Sequence, residues 1–185
     1  MMDALAAGVA VLERSISYAL GSLALVTPPL LIRPTPCRRW DLRDLLHHFG
    51  DSMAALHEAA AYGEVDLTPA PDGNAVIEET RGRAVRLLGA WTNGPRAPTV
   101  RVAAAPLTAP VIAGAGAIEI TVHGWDVAEA CGSPRPIPPD LADELLDLAV
   151  LLIGPGDRSG RFARPRAVAA DASPATRLLA FVGRG

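Results

Sequence analysis

Residues 117–132, AIEITVHGWDVAEACG, carry a carboxylate and an imidazole four positions apart in a run that is otherwise mostly apolar or small. The length of the apolar pattern and the glycine that closes it favour a helix over 113–130, with Gly132 just past its end. On such a helix, side chains four residues apart sit one turn apart on the same face. Glu119 and His123 therefore point the same way, beside Ile112, Gly116, Ile120 and Val127. A carboxylate on an inward stripe is costly to bury without a partner, so the decisive question is what Glu119 and His123 face.

Working outward, the rest of the chain also reads as helices. Leu5, Val9, Leu12, Ile16, Leu20 and Leu23 recur at helical spacing over 4–23. The stretch TPPLLIRPTPCRRW holds four prolines and makes an extended connection. Asp41 has the character of an N-cap, with Asp44 three positions on in the first turn, and a second helix is predicted over 42–62. GEVDLTPAPDGN is a loop, and a third helix follows over 75–91 with Val76, Thr80, Ala84, Leu87 and Trp91 on one face. The proline-rich stretch from Thr92 to Pro110 is predicted to be irregular; TVRVAA is a short strand at most, stopped by Pro106 and Pro110. A fifth helix is expected from Pro138 or Pro139 to Gly154, and a short sixth behind the cap Ser173. With no internal repeat and no alternation of strands and helices, the economical fold is all-α: a four-helix bundle with irregular connections and short extra C-terminal helices, in a single domain over residues 1–185.

Composition narrows the function. The net charge is -3, which offers no basic footprint for nucleic acid. All seventeen positive charges are Arg, a pattern that fits codon bias in a GC-rich genome. The start of the chain has Asp3 and no positive charge before Arg14, unlike a secretory signal. The most apolar region, 19–32, is interrupted by Pro28 and Pro29 and is shorter than the roughly 20 residues that span a bilayer. These features lead us to expect a cytoplasmic protein, with no membrane partner, as a monomer or homodimer. Cys37 and Cys131 lack metal-ligand spacing and are expected to be free thiols.

There are four histidines. On the second helix His48 falls on the inward stripe with Leu45, Ser52 and Ala55, whereas His47 and His57 lie off it. A divalent metal held by His48, Glu119 and His123 would resolve the cost of burying Glu119; two imidazoles and one carboxylate with open positions are the donor set of catalytic zinc and non-haem iron sites. The spacing alone admits another outcome, with Glu119 in solvent, His123 a core histidine bonded to backbone, and His48 on the surface beside His47. Asp126, three residues after His123, is placed either to accept the other ring N–H of that histidine or to lie on the surface.

WDLRDLLHHFGD from Trp40, read together with AIEITVHGWDVAEACG, resembles the two signature segments of the mycothiol-dependent maleylpyruvate isomerase and DinB-like superfamily. In that family a Trp is followed by a run like LRDLL and then by a His eight residues after the Trp, here His48. The second segment carries Glu, three residues, His and then GWD, here Glu119, His123, Gly124, Trp125 and Asp126. The ending DASPATRLLAFVGR is similar to that of small actinobacterial members described as metal-binding proteins. The resemblance covers most of the chain. It implies a DinB-like four-helix bundle with a metal at one end of its core, bound by His48, Glu119 and His123. Zinc is the expected ion, with nickel, manganese and iron as alternatives. The chain has no room for the isomerase's separate C-terminal domain, so the isomerase's substrate is not carried over. Trp40 and Trp125 are expected to pack the core and bundle end. Arg184 is expected to be solvated, or else to reach an anionic substrate.

Two functions follow from this reading. One is a metal-dependent transferase or isomerase that binds a small thiol of the mycothiol type and delivers it to a small electrophile, with the Thr92–Pro110 stretch as lid or wall of the cavity. The other is a non-catalytic bundle that binds a metal or ligand in a regulatory role. No separate catalytic base stands out in either.

Overall fold

The computed structural model describes residues 2–37, 40–66, 75–103, 105–158 and 162–184. Six α-helices dominate: α1 (Met2–Leu23), α2 (Leu42–Tyr62), α3 (Val76–Thr92), α4 (Ala109–Ala130), α5 (Pro139–Leu152) and α6 (Pro174–Phe181). Local chemistry explains their ends. At the start of α2 the Asp41 carboxylate accepts the Asp44 N–H at 2.9 Å, and the Asp44 carboxylate accepts the Asp41 N–H at 3.3 Å, a reciprocal capping box. Gly63 ends α2 at φ +70°, the left-handed region where a side chain is strained. Past α4, Gly132 takes φ +67°, and the Ser133 N–H returns to the Ala128 carbonyl.

α4 begins four residues before the predicted start at Ala113. Pro110 sits in its first turn, where the missing N–H has no partner to lose, so proline there opens the helix instead of blocking it.

α1 to α4 form the bundle. α4 packs against α1 and α2, and α3 closes the other side against α2 and α1. Leu12, Ile16, Leu45, Phe49, Leu87, Trp91 and Ile120 are fully buried between them. α1 and α4 come very close: a Cβ at Gly124 would stand 3.2 Å from the Ala19 Cα. α5 lies on α4, and α6 lies on α5. No helix among the described residues is long and apolar enough to cross a membrane.

The fold is mostly α-helical as expected, with one small sheet beside the helices. β1 (Glu64–Val65), β2 (Thr99–Val102) and β3 (Ala105–Thr108) lie in that order, β1 parallel and β3 antiparallel to β2. Residues 99–102 form the strand read in TVRVAA, but Pro106 does not stop the pairing: it stands opposite Arg101 in β3. β3 is an edge strand of this sheet, where a residue without an N–H is tolerated. Of the loop predicted over 63–74, Glu64 and Val65 are strand, and residues 67–74 lie outside the described residues.

Candidate metal centre

α2 and α4 present their polar residues to one another across the bundle. The Glu119 Oε1 atom lies 3.0 Å from His48 Nε2 and 3.2 Å from His123 Nε2, and it accepts the Ser52 hydroxyl at 3.0 Å. One donor atom from each of His48, Glu119 and His123 falls within 4.8 Å of the others. The two imidazoles stand edge to face, with centroids 5.0 Å apart. Side-chain exposure falls from 39% at His48 through 29% at Glu119 to 7% at His123, so the group opens toward His48 and is closed behind His123.

Behind His123 lies a second layer of polar contacts. Its Nδ1 is 3.0 Å from Asp126 Oδ2, and Asp126 is fully buried. Arg184 donates to both Asp126 oxygens at 2.9 Å and to the Cys37 sulfur at 3.1 Å. The Cys37 thiol in turn lies 3.3 Å from Asp126 Oδ2. Cys37, His123 and Asp126 also fall within ligand distance of one another. The Arg184 cation already contacts both Cys37 and Asp126, so that triplet fits a hydrogen-bond network and not a cation site.

These contacts shift the protonation equilibria. Burial pushes the His123 imidazole down, but the Glu119 charge and the hydrogen bond to Asp126 outweigh it and hold His123 well above the ordinary imidazole value. Burial pushes Glu119 up, and His123 and His48 more than reverse this, holding it well below the usual carboxylate range. Asp126 is likewise raised by burial and brought below its ordinary value by His123 and Arg184. His123 stands between two carboxylates, with Nδ1 facing Asp126 at 3.0 Å and Nε2 facing Glu119 at 3.2 Å. The donor set fits a divalent cation: two imidazole nitrogens and a carboxylate oxygen lie close enough to share one ion, and Nδ1 of His123 is already occupied by Asp126.

The group lies on the wall of a cavity of about 1080 Å³. Leu56, Ile112, Leu152, Ile153 and Phe162 supply an apolar side, and Cys37, Trp40, Arg164 and Arg184 also line it. Among the described residues, none of the Thr92–Pro110 stretch, expected as lid or wall, lines it. That stretch is tied down as β2 and β3 on β1, and the wall comes instead from residues 162–166 between α5 and α6.

Several other expectations are sharpened or corrected. Cys37 and Cys131 are both free; Cys131 is buried, whereas Cys37 stands in the site. Trp40 lies against His48 with centroids 4.7 Å apart and ring planes tilted by 43°, and it lines the cavity, so it does more than pack the core. Arg184 is only 11% exposed and ion-paired, neither solvated nor free for a substrate. Of the two placements open to Asp126, the buried one holds. His57 sits away from the centre, against Tyr62. Nothing local in the sequence marks Cys37 or the 162–166 wall; Ser52, one turn past His48 on the inward stripe, does carry a visible signal.

The family model of the mycothiol maleylpyruvate isomerase N-terminal domain matches residues 12–128, a span that contains all three residues facing the centre and Asp126. Two uncharacterized proteins of Mycobacterium tuberculosis, from strains CDC 1551 / Oshkosh and ATCC 25618 / H37Rv, are each 30% identical over 164 residues, covering 88% of this chain and 89% of theirs. No solved structure matches the chain.

Proposed function

The chain belongs to the family of the mycothiol maleylpyruvate isomerase N-terminal domain, and from that premise we propose that it binds a divalent metal through His48, Glu119 and His123 and uses it to transfer a small thiol of the mycothiol type to an electrophile. The observation that carries this reading is the shared Glu119 oxygen, 3.0 and 3.2 Å from the two Nε2 atoms, opening onto a cavity of about 1080 Å³. Drug-sized ligands occupy sites of roughly 300–1,000 Å³, so the space suits a thiol together with a second molecule.

A divalent ion there supplies a Lewis-acid position that lowers a sulfhydryl's pKa toward neutrality. The chain's own residues do the rest. Asp126 holds Nδ1–H of His123, which leaves Nε2 aimed at the cavity. Ser52 fixes one oxygen of Glu119. The apolar side formed by Leu56, Ile112, Leu152 and Phe162 excludes water and seats the electrophile. Zinc is the expected ion; purified material can carry nickel, manganese or iron, since availability and the Irving–Williams order both act on such a site.

Two measurements test the reading. Metal content of the purified protein should fall steeply in His48→Ala, Glu119→Ala and His123→Ala and stay unchanged in His47→Ala and His57→Ala. A cobalt-substituted sample titrated with mycothiol, cysteine and glutathione should develop a sulfur-to-metal charge-transfer band with one of them. Metal binding without any thiol response at millimolar concentration leaves a non-catalytic metal-binding bundle; no metal at all removes both readings.

A further inference from the structure

We propose that Arg184 is a positioning residue: its guanidinium aligns the supports of both metal-facing imidazoles. The inference rests on the metal-binding reading above. Arg184 follows α6, far in sequence from either histidine, yet it forks onto Asp126 with Nε on Oδ1 and Nη2 on Oδ2, both at 2.9 Å. A planar guanidinium on a planar carboxylate fixes the carboxylate's rotation as a single contact does not. Asp126 has no exposed surface, so water does not compete for it. Its Oδ2 then faces Nδ1 of His123 at 3.0 Å, and the imidazole plane follows from the carboxylate plane.

The same guanidinium reaches the other imidazole by a second route. Nη2 donates to Cys37 Sγ at 3.1 Å. The Cys37 carbonyl accepts the Trp40 N–H at 2.8 Å, and the Trp40 ring lies against His48. One cation therefore touches what stands behind His123 and what leads to the ring beside His48.

Docking of the segment alone does not require this ion pair. Leu178 and Val182 are fully buried, the Arg166 N–H bonds the Ala180 carbonyl, and Arg158 holds the carbonyls of Ala163 and Phe181. A buried ion pair is in general a poor source of net stability compared with apolar packing. Its distinctive property is direction, and here the direction leads to His123. Arg184 also stands on the cavity wall, but its fork is spent on Asp126, which argues against a role in gripping an anionic ligand.

The test is zinc affinity, measured by competition with a chromophoric chelator on the full chain. Arg184→Ala and Asp126→Asn should each weaken binding by about ten- to hundredfold, the range for losing a residue that orients a metal ligand. The double variant should fall below Asp126→Asn by less than Arg184→Ala costs in the parent, because most of the effect of Arg184 passes through Asp126 and only the remainder through Cys37. Arg184→Lys keeps the charge without the fork, and should recover only part of the affinity; it also serves if the alanine variant fails to fold. Arg158→Ala, which loosens the same segment and leaves the fork in place, should bind zinc within about twofold of the parent. Equal zinc affinity in Arg184→Ala and the parent overturns the proposal, as does an equal loss in Arg158→Ala. In histidine-labelled, metal-free protein, the Nδ1 proton of His123 should give a slowly exchanging NMR signal that Arg184→Ala broadens or loses. That readout survives even if the parent binds no zinc, so failure of the metal reading and failure of this one remain distinguishable.

Discussion

α3 and α4 are both long helices of the same bundle, and they bury their residues by different rules. In α3 the buried residues are Val76, Thr80, Ala84, Leu87 and Trp91, a single stripe at steps of three and four. Its one buried polar side chain, Thr80, bonds the carbonyls of Val76 and Leu46. In α4, sixteen of 22 residues are buried, on every side of the helix. Periodicity then carries no information about which face points inward, because nearly all of it does. What carries information is the polar minority: His123 and Asp126 are buried in α4, and their partners Arg184 and Cys37 come from distant parts of the chain. A stripe helix is stabilised by one neighbouring surface; an enclosed helix with charges in it must recruit partners from wherever the fold can bring them.

That contrast can be broken or sharpened by substitution. The largest effects should come from Asp126→Ala and Trp91→Ala, which separate stability from function. Removing Asp126 strands a nearly buried arginine and the His123 imidazole, a loss of about 3–5 kcal/mol. Truncating the fully buried Trp91 should cost a similar amount, about 3–5 kcal/mol, through the cavity it leaves. Urea denaturation should find the two comparable, whereas metal content should fall only in Asp126→Ala. If Trp91→Ala loses metal equally, the centre depends on the whole bundle and not on its local partners.

Next comes the contact of α1 with the connection between α4 and α5, read through Tyr18. Its hydroxyl donates to the Arg135 carbonyl at 2.6 Å, and burial pushes the phenol up to about 12 from an ordinary 10. Between pH 10 and 12 the unfolded chain ionises this phenol and the folded chain does not. The folded state therefore binds more protons, and stability present below pH 10 is lost as pH rises, by about 2–3 kcal/mol at pH 12. Denaturant unfolding at a series of alkaline pH values should show this slope, and Tyr18→Phe should flatten it while lowering stability at neutral pH. A Tyr18→Phe curve parallel to the parent's would show that the phenol is not the source.

The smallest effects should differ in sign for the same substitution. Alanine at Gly124 of α4 gains about 1 kcal/mol of helix propensity but places a methyl 3.2 Å from the Ala19 Cα, an overpacking cost of about 1–3 kcal/mol. A net loss is expected. Alanine at Gly89 of α3 meets nothing within 4 Å and should raise stability by about 0.5–1 kcal/mol. Thermal melts of the two variants side by side check this. A stabilised Gly124→Ala would mean that α1 and α4 have room to separate.

Much of the fold was legible before the structure. Local signals placed α2 at its observed bounds: an Asp41–Asp44 capping pair at one end and a glycine at the other. α3 and α6 were readable for the same kind of reason, a stripe in one and the Ser173 cap in the other. The start of α4 was misjudged because Pro110 reads as a breaker unless it is known to occupy the first turn. Of the small sheet only the strand in TVRVAA is legible; its partners at 64–65 and 105–108 are not, because strands of two and four residues next to a loop and a proline carry no period long enough to detect.

For the site, the residues on a shared helix face were open to reading and the residues on different elements were not. Glu119 and His123 are four apart on α4, and His48 and Ser52 are four apart on α2, so helical geometry alone pairs each couple. Cys37 and Arg184 are 147 positions apart in the chain, and no local rule relates them. The sequence by itself determined most of the helices, the Asp41 and Ser173 caps, and which polar side chains share a face in α2 and in α4, because those depend on spacing within a few residues. Only the tertiary structure decided that α2 would set His48 against Glu119, that residues 162–166 and not the strands would wall the cavity, and that Arg184 would lie under Asp126. Those are contacts between elements, and charges from which packing has excluded water are stable only where every partner is in place at once.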